Sequence, residues 1–274
     1  MLHRKPSTIA KTGLTSRSAE AVGHEAEMLR RLGPSAAQAG AHVPSVIALG
    51  SVNGRPVVVE TALEGRSAAA VLNTRPGRLG DVLDRVTTWL ERWSCLTRVT
   101  QPIDAAQLQT EVLEPAAMLG LGEAYRRWLE HRCEALAGRP APLVDAHNDL
   151  TMWNVLLDDR GGMGIVDWET ARQRSMPLGD LFYAVVDAVS AADSYRNRIH
   201  AFTECFSPGG AHAARVRALE RRLQNAVEAS EEIAQLSLHA CWLQHAANEH
   251  RATPPGEARP FLEIVRMMAS WSTR

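Results

Sequence analysis

Residues 143–169 read LVDAHNDLTMWNVLLDDRGGMGIVDWE, and this stretch decides the interpretation of the whole chain. Its three short apolar runs predict buried strands, and polar residues stand where those strands end. Carboxylates and amides in such partly desolvated places need a proton, a cation or hydrogen bonds as compensation. Asp149, Asn154 and Asp167 offer oxygen ligands, which suit Mg²⁺ better than zinc. Because protein-bound Mg²⁺ usually shares its coordination with phosphate, the stretch predicts a site for a phosphorylated ligand.

The composition of the 274-residue chain is that of an ordinary globular protein, with 45% hydrophobic residues. This length allows one large domain or two lobes with sizeable cores. The formal net charge of -1 argues against a nucleic-acid-binding surface, which needs an excess of Lys and Arg. No window approaches the roughly 20 apolar residues of a membrane span. The cysteines lie far apart without a C-x-x-C pair, so we expect buried free thiols and a cytoplasmic location.

The first part of the chain predicts a small antiparallel sheet with one helix. Residues 7–11 form a strand candidate, and a helix is expected over about 19–32. Two apolar runs, 43–50 and 56–61, flank an Asn-Gly pair, which is the strongest short signal for a hairpin. The chain then leaves through polar and small residues at 60–65, which predicts a linker between two lobes.

One charged residue of the expected helix is out of place. Val22, Glu25, Leu29 and Leu32 share one helix face, which puts a glutamate inside an apolar stripe. Either a cation meets it, for which Lys11 is the nearest candidate, or it lies at the edge of the stripe and reaches solvent.

The second part of the chain is mainly helical in pattern, with no internal repeat. Helices are expected from residue 81 onward, then over 105–119, 125–136, 181–189, 213–223, 226–248 and 261–271. Asp180 precedes the fourth of these and is the natural cap for it.

Two separate motifs carry a family resemblance. They are His147, Asn148, Asp149, Leu150, Asn154, Val155 and Leu156, followed by Asp167, Trp168 and Glu169. They resemble the H-G-D-[LF]-x-x-x-N-[IVL] and I-D-[WF]-[ED] patterns of the aminoglycoside phosphotransferase and choline kinase family, distant relatives of protein kinases. The resemblance implies an α+β, two-lobed, protein-kinase-like fold. Residues 1–64 would form the nucleotide-anchoring N-lobe, and 65–274 the helical C-lobe with catalytic loop, metal site and acceptor pocket.

The resemblance also implies roles for the residues of the stretch. Asp149 would orient the acceptor hydroxyl and receive its proton, while Asn154 and Asp167 would hold Mg²⁺ on the phosphates of ATP or GTP. His147 is either a general base or a residue that packs and hydrogen-bonds the loop, and we favour the second. Trp168 is expected in the core.

The resemblance also implies roles for residues of the N-lobe and for Asp180. Lys11 would steady the α- and β-phosphates and Glu25 would pair with it. The backbone of 60–63, including Glu60 and Ala62, would meet the purine edge. Asp180 would brace the catalytic loop.

Two departures from the family pattern stand out. Asn148 replaces a glycine, which is tolerable because Asn accepts left-handed backbone angles. Only ten residues precede Lys11 and Gly13 is the first glycine, so we expect an N-lobe that lacks the glycine-rich hairpin. This leaves three interpretations open: a recorded start that is too late, a nucleotide held by fewer contacts, or a degenerate kinase.

The helices after the second motif would shape the acceptor pocket. The candidates are Tyr183, Asp187, Glu228, Glu231, Glu232, His239, Trp242, His245 and Glu249. A polycation would need a denser acidic patch, and the glutamates are equally typical of a solvated helix start. We therefore predict ATP-dependent transfer to a hydroxyl of a small molecule, such as a sugar, nucleoside or amino alcohol, over an aminoglycoside. The alternative is a catalytically silent kinase-like protein that binds a nucleotide or a partner.

Overall fold

The computed structural model describes residues 7–254 and 256–272, and its first elements form the expected small sheet. Strand β1 is Thr8–Thr12, β2 is Val46–Val52 and β3 is Arg55–Thr61, in the antiparallel order β1-β3-β2. Asn53 and Gly54 both have positive φ, 52° and 76°, as the tight hairpin turn requires. The predicted hairpin is therefore confirmed.

Helix α1, Ser16–Gln38, packs on this sheet and is longer than the predicted 19–32. Thr15 starts it with a capping box, in which its side chain accepts the N–H of Ser18 and Ser18 returns the bond. Pro34 lies inside the helix, where a missing N–H normally ends it. The buried Ala36 offsets this loss, because it anchors the last turns of the helix in the main core.

The passage between the lobes is shorter than predicted. Glu60 and Thr61 still belong to β3, so only 62–65 cross before β4, Arg66–Ser67. Gly65 has a φ of +136°, and a Cβ there would lie 3.0 Å from the Leu157 carbonyl oxygen, so the close approach requires glycine.

A second three-stranded sheet joins the end of the passage to the stretch 143–169. It has the order β4-β7-β8, where β7 is Val155–Leu157 and β8 is Met163–Ile165. On the other side of β8, the N–H of His42 donates to Met163 and the N–H of Ile165 donates back to His42. The β7–β8 hairpin is thus bonded on one edge to the α1–β2 connection of the small lobe and on the other edge to the start of the large lobe.

The remaining elements build the large lobe. A third sheet has the order β5-β6-β9, with β5 at Val99–Pro102, β6 at Pro140–Ala146 and β9 at Arg172–Ser175. The helices are α2 Ala68–Thr74, α3 Leu79–Thr97, α4 Ala105–Leu108, α5 Glu114–Met118, α6 Glu123–Leu136, α7 Gly179–Ala192, α8 Arg198–Phe206, α9 Ala213–Val227, α10 Glu231–Ala252 and α11 Pro260–Ser272. None of them, within the described ranges, has an apolar window that could cross a bilayer.

Three helix predictions need correction. The predicted 226–248 helix is two helices, because Glu228 is left-handed and the Ser230 side chain caps α10 by accepting the Ile233 N–H. Asp180 does not cap α7; Leu178 occupies that position, and the Asp180 carboxylate is engaged elsewhere. Helices α2 and α8 have no counterpart in the prediction.

The cores of the two lobes differ greatly in size. The small lobe has its own cluster of three buried residues, Val22, Ala26 and Val58. One continuous core runs through the large lobe, includes fully buried Trp93 and Trp168, and takes in the second half of α1 from Met28 to Ala36. The loop that starts at the end of β6 lies on that larger core.

Candidate active site

The loop between β6 and β7 is fixed at its start by a buried acid. Asp180, in the first turn of α7, accepts the main-chain N–H of His147 and of Asn148, each at 2.7 Å. Burial raises the pKa of Asp180, and the two amides and His147 oppose that rise. Asn148 has a φ of +61°, so the left-handed conformation expected for this position is present. The predicted bracing role of Asp180 is confirmed.

The predicted catalytic pair lies within this loop. Asn154 Nδ2 donates to the main-chain oxygen of Asp149 at 2.9 Å and to its Oδ2 at 3.3 Å. Because the nitrogen is engaged with Asp149, the amide oxygen of Asn154 remains for a cation. Burial, reinforced by the charges of Asp167 and Asp187, raises the pKa of Asp149 to about 7. A cation near Asp167 would remove one of those causes and favour the carboxylate.

Asp167 follows β8 and has a φ of +67°. The next residue, Trp168, is fully buried as predicted, and its indole N–H donates to Ile165. Its main-chain N–H donates to Glu25 Oε1 at 3.1 Å. Helix α1 of the small lobe is thereby bonded to the segment that carries Asp167.

The donor set suits Mg²⁺ bound together with phosphate. Asn154 and Asp167 offer an amide oxygen and a carboxylate, and no group of three or more His, Cys, Asp or Glu within the described ranges forms a metal cage. Mg²⁺ is usually bound by one or two carboxylates and completes its shell with phosphates and water, so an incomplete oxygen set fits it.

On the opposite side, the predicted lysine–glutamate pair is present and has a second acid. Lys11 Nζ lies 2.6 Å from Glu25 Oε1 and 3.2 Å from Glu60 Oε1. Burial alone would lower the pKa of Lys11, but the two glutamates raise it. Burial also raises the pKa of Glu60, whose Oε2 is buried without a hydrogen-bond partner. The ammonium therefore lies between two carboxylates.

The positions of Glu60 and Ala62 differ from those expected for a linker whose backbone contacts the purine. Glu60 lies inside β3 and directs its side chain to Lys11, and only its neighbours beyond Thr61 are in the passage. The N–H of Ala62 donates to the Ser7 carbonyl at 3.0 Å, so a purine contact through this amide requires that bond to open. The purine contact stays a prediction.

His147 matches the structural interpretation. It is fully buried, and its Nε2 lies 3.0 Å from the Val166 carbonyl oxygen, to which it must donate. Its ring packs edge-on against Trp168. Burial lowers the pKa of His147, which keeps the ring neutral.

A cavity of about 380 Å³ lies beside the catalytic loop and borders Asn148 and Asp180. Of the predicted acceptor residues, Tyr183 and His245 line it, with ring centroids 3.6 Å apart in a parallel stack. Gln244 and Asn248, which the sequence interpretation missed, share with His245 one face of α10. Their three- and four-residue spacing was the available signal.

The other predicted acceptor residues lie elsewhere. Asp187 and Trp242 are fully buried outside the cavity lining, Glu228 pairs with Arg98, His239 binds Tyr125, and Glu249 accepts the amides of Phe261 and Leu262. Glu231 and Glu232 occupy the first turn of α10, the solvated helix start that was the alternative interpretation.

Comparison with known proteins adds a family and a fold. The model of the phosphotransferase enzyme family matches residues 3–219. No curated protein sequence matches the chain.

Solved structures share the fold at low sequence identity. The GDP complex of wild-type aminoglycoside 2'-phosphotransferase-IIIa superposes with a TM-score of 0.57 and 14% identity, over 97% of this chain and 86% of that one. Aminoglycoside-3'-phosphotransferase of type VIII gives 0.52 and 19%, over 85% and 83%. The ADP and streptomycin complex of APH(3'')-Id from Streptomyces rimosus gives 0.52 and 16%, over 85% of each chain.

Proposed function

Because the chain belongs to the phosphotransferase enzyme family, we propose that it transfers the γ-phosphate of ATP or GTP to a hydroxyl group of a small molecule. In this proposal residues 1–64 anchor the nucleotide, and 65–274 provide the catalytic loop, the metal ligands and the acceptor pocket. The four free thiols fit the cytoplasmic location that we propose with it.

One observation supports this function above the others. Glu25 Oε1 bonds both Lys11 Nζ at 2.6 Å and the Trp168 N–H at 3.1 Å. It thereby ties the phosphate-anchoring lysine to the segment that begins at Asp167. Phosphoryl transfer needs alignment and charge neutralisation rather than covalent help, and this contact aligns the two charged sides of one cleft.

Each residue then has a defined task. Lys11 places one positive charge on the nucleotide phosphates, and Asn154 and Asp167 would hold Mg²⁺, which would supply charge neutralisation for the transferred phosphoryl group. Asp149 accepts the proton of the attacking hydroxyl, since a cation near Asp167 would favour its carboxylate form. Asn154 Nδ2 holds the Asp149 carboxylate in place.

The cavity beside the loop favours an uncharged acceptor. Burial lowers the pKa of His245 to about 3, so this ring is neutral and offers one donor and one acceptor. Three carboxylates line the cavity, those of Glu111, Glu169 and Asp180. Asp180 is occupied by two loop amides, and the charge of Arg172 opposes that of Glu111. A polycation would need a denser acidic patch than this, whereas a neutral hydroxylated molecule would find hydrogen-bonding groups and an aromatic stack.

A turnover assay tests the function. Nucleotide diphosphate release is measured with ATP and with GTP, with and without Mg²⁺, against sugars, nucleosides, amino alcohols and kanamycin. Asp149→Asn should lower kcat by about 10²- to 10⁴-fold, the usual contribution of a general base. Asp159→Asn, in the exposed turn after β7, is the matched control and should leave kcat unchanged.

The alternative is a silent kinase-like protein that binds a nucleotide or partner. The second carboxylate on Lys11 favours it, since the ammonium is already neutralised before a phosphate arrives. Nucleotide-induced thermal stabilisation without any acceptor-dependent release, unchanged in Asp149→Asn, would establish this alternative and overturn the kinase proposal.

A further inference from the structure

A second acid of α7 meets the catalytic loop. Asp180 holds the loop at its start, and Asp187 lies two helical turns further along the same helix. The Asp187 carboxylate is fully buried, and its Oδ2 accepts the main-chain N–H of Met152 at 2.6 Å. Met152 lies between Asp149 and Asn154, so this bond grips the loop in its interior.

The charge of Asp187 is compensated from the start of α8. The Tyr195 hydroxyl donates to the same Oδ2 at 3.0 Å, and Arg198 Nη1 lies 3.1 Å from Oδ1. A buried carboxylate without such partners would be strongly destabilising. Tyr195 and Arg198 therefore hold the Asp187 carboxylate from one side, while its Oδ2 also accepts the Met152 N–H of the loop.

The segment that carries Tyr195 has an unfavourable backbone conformation. Ser194 and Tyr195 both have a φ of +56°, which only surrounding contacts can maintain in non-glycine residues. The Arg198 guanidinium lies over the rings of Tyr195 and Phe261, at 5.7 and 5.0 Å from their centroids. Trp153 of the catalytic loop stacks on Tyr195, with ring centroids 6.3 Å apart. The loop thus meets this assembly through a main-chain bond and through a side chain.

We propose that Asp187 is a positioning residue for phosphoryl transfer, which fixes the loop at Met152 and so sets where Asp149 and Asn154 stand. The inference rests on the proposed function for its kinetic consequence. The Met152 carbonyl oxygen accepts the Ala69 N–H at 2.8 Å, so the Asp187 bond holds the other main-chain group of the same residue. Its loss would let the loop shift at Met152, and a displacement of about 1 Å at a reacting group can cost about 10²-fold in rate.

Kinetics of matched variants test the role. Asp187→Asn keeps the shape but loses the charge that Arg198 and the amide share, so kcat should fall by about 10- to 100-fold with the nucleotide KM unchanged. Tyr195→Phe, which removes only one O–H donor, should give a smaller fall. Val186→Ala is the control, because it opens a cavity in the same fully buried helix and removes no bond to the loop. An equal fall of kcat in Val186→Ala would overturn the inference.

Hydrogen exchange gives a readout that does not depend on turnover. In Asp187→Asn, peptides covering 147–154 should exchange at least several-fold faster, while those covering α7 stay as in the wild type. Unchanged exchange at 147–154 overturns the positioning role whatever the kinetics. Absence of nucleotide diphosphate release in the wild type overturns the proposed function instead, and leaves the exchange result to decide the positioning role.

Discussion

The two sides of the cleft are held in different ways. On the large lobe, the loop between β6 and β7 is fixed by its main-chain N–H groups at His147, Asn148 and Met152, which donate to buried carboxylates. On the small lobe, Lys11 lies between the side chains of Glu25 and Glu60, on a sheet whose separate core has three residues. Main-chain bonds fix a position, whereas an ion pair leaves a flexible ammonium that can exchange partners. We therefore expect the loop of the large lobe to keep its groups in fixed positions, and Lys11 of the small lobe to change partners when a ligand binds.

The largest effect on kcat should come from a substitution in the large lobe. Asp167→Asn removes the carboxylate expected to hold Mg²⁺, so kcat should fall by about 10³-fold, the magnitude for one preorganised electrostatic group. The measurement is product release over a Mg²⁺ titration. Recovery of the wild-type kcat at high Mg²⁺ would show that the metal site is not formed by this residue.

Substitutions in the two clusters of buried residues should differ in their cost to the free energy of unfolding. Trp168→Ala empties a fully buried site in the main core and should cost about 3–5 kcal/mol in the free energy of unfolding. Val58→Ala in the small cluster removes about two methyl groups and should cost about 2 kcal/mol. Denaturant unfolding gives both values. Hydrogen exchange should show the Val58→Ala effect mainly in the sheet β1-β3-β2, and an equal loss of protection throughout the chain would contradict a separate cluster in the small lobe.

The two carboxylates on Lys11 should act in opposite directions. Glu25→Gln weakens the link between Lys11 and Trp168, so kcat/KM for the nucleotide should fall by about 10- to 100-fold, as for a hydrogen bond to a charged group. Glu60→Gln removes only a competitor of phosphate, so nucleotide affinity should rise by roughly fivefold. Steady-state kinetics measure the change in Glu25→Gln, and calorimetric titration with a non-hydrolysable nucleotide measures the change in Glu60→Gln. A weaker affinity in Glu60→Gln would mean that this residue contacts the nucleotide.

The smallest effect concerns acid stability of the large lobe. His239 Nδ1 accepts the Tyr125 hydroxyl at 2.6 Å, and burial lowers the pKa of His239 to about 3. Between its ordinary pKa of 6.5 and about 3, the unfolded chain binds the extra proton, so stability falls as pH falls through that window.

His239→Gln should remove about 1 kcal/mol of the loss between pH 6 and pH 5, because one such histidine contributes up to about 1.4 kcal/mol per pH unit. Exposed His131 supplies the control variant, His131→Gln, which should follow the wild type. Identical pH slopes in all three proteins would mean that His239 titrates normally.

The polar residues of the large-lobe side of the cleft could be predicted from the sequence because they lie close together along the chain. Asp149, Asn154 and Asp167 fall at fixed spacings around one hairpin. Glu25 interrupts an apolar stripe, but that pattern leaves a solvent-exposed edge position open, and the pairing with Lys11 follows from the family resemblance.

The missed features depend on long-range contacts. The predicted strand at 56–61 already contains Glu60, but its pairing with Lys11 depends on the register of β1 against β3, which places Lys11 opposite Val58 and which an apolar run does not reveal. Asp187 bonds a main-chain amide, and such a donor is identical at every non-proline position. The sequence therefore predicts an acceptor contact for Asp187, whereas the structure bonds this residue to the loop itself.

The hairpin between Asn154 and Asp167 also limits how the small lobe can move. Since β8 is bonded to His42 on one edge and β7 to Arg66–Ser67 on the other, the hairpin holds the α1–β2 connection and the segment that follows the passage. Glu25 adds a third contact through the Trp168 N–H, and the second half of α1 lies in the main core. We therefore expect opening for nucleotide release to move the sheet that carries Lys11, while α1 and the hairpin stay together.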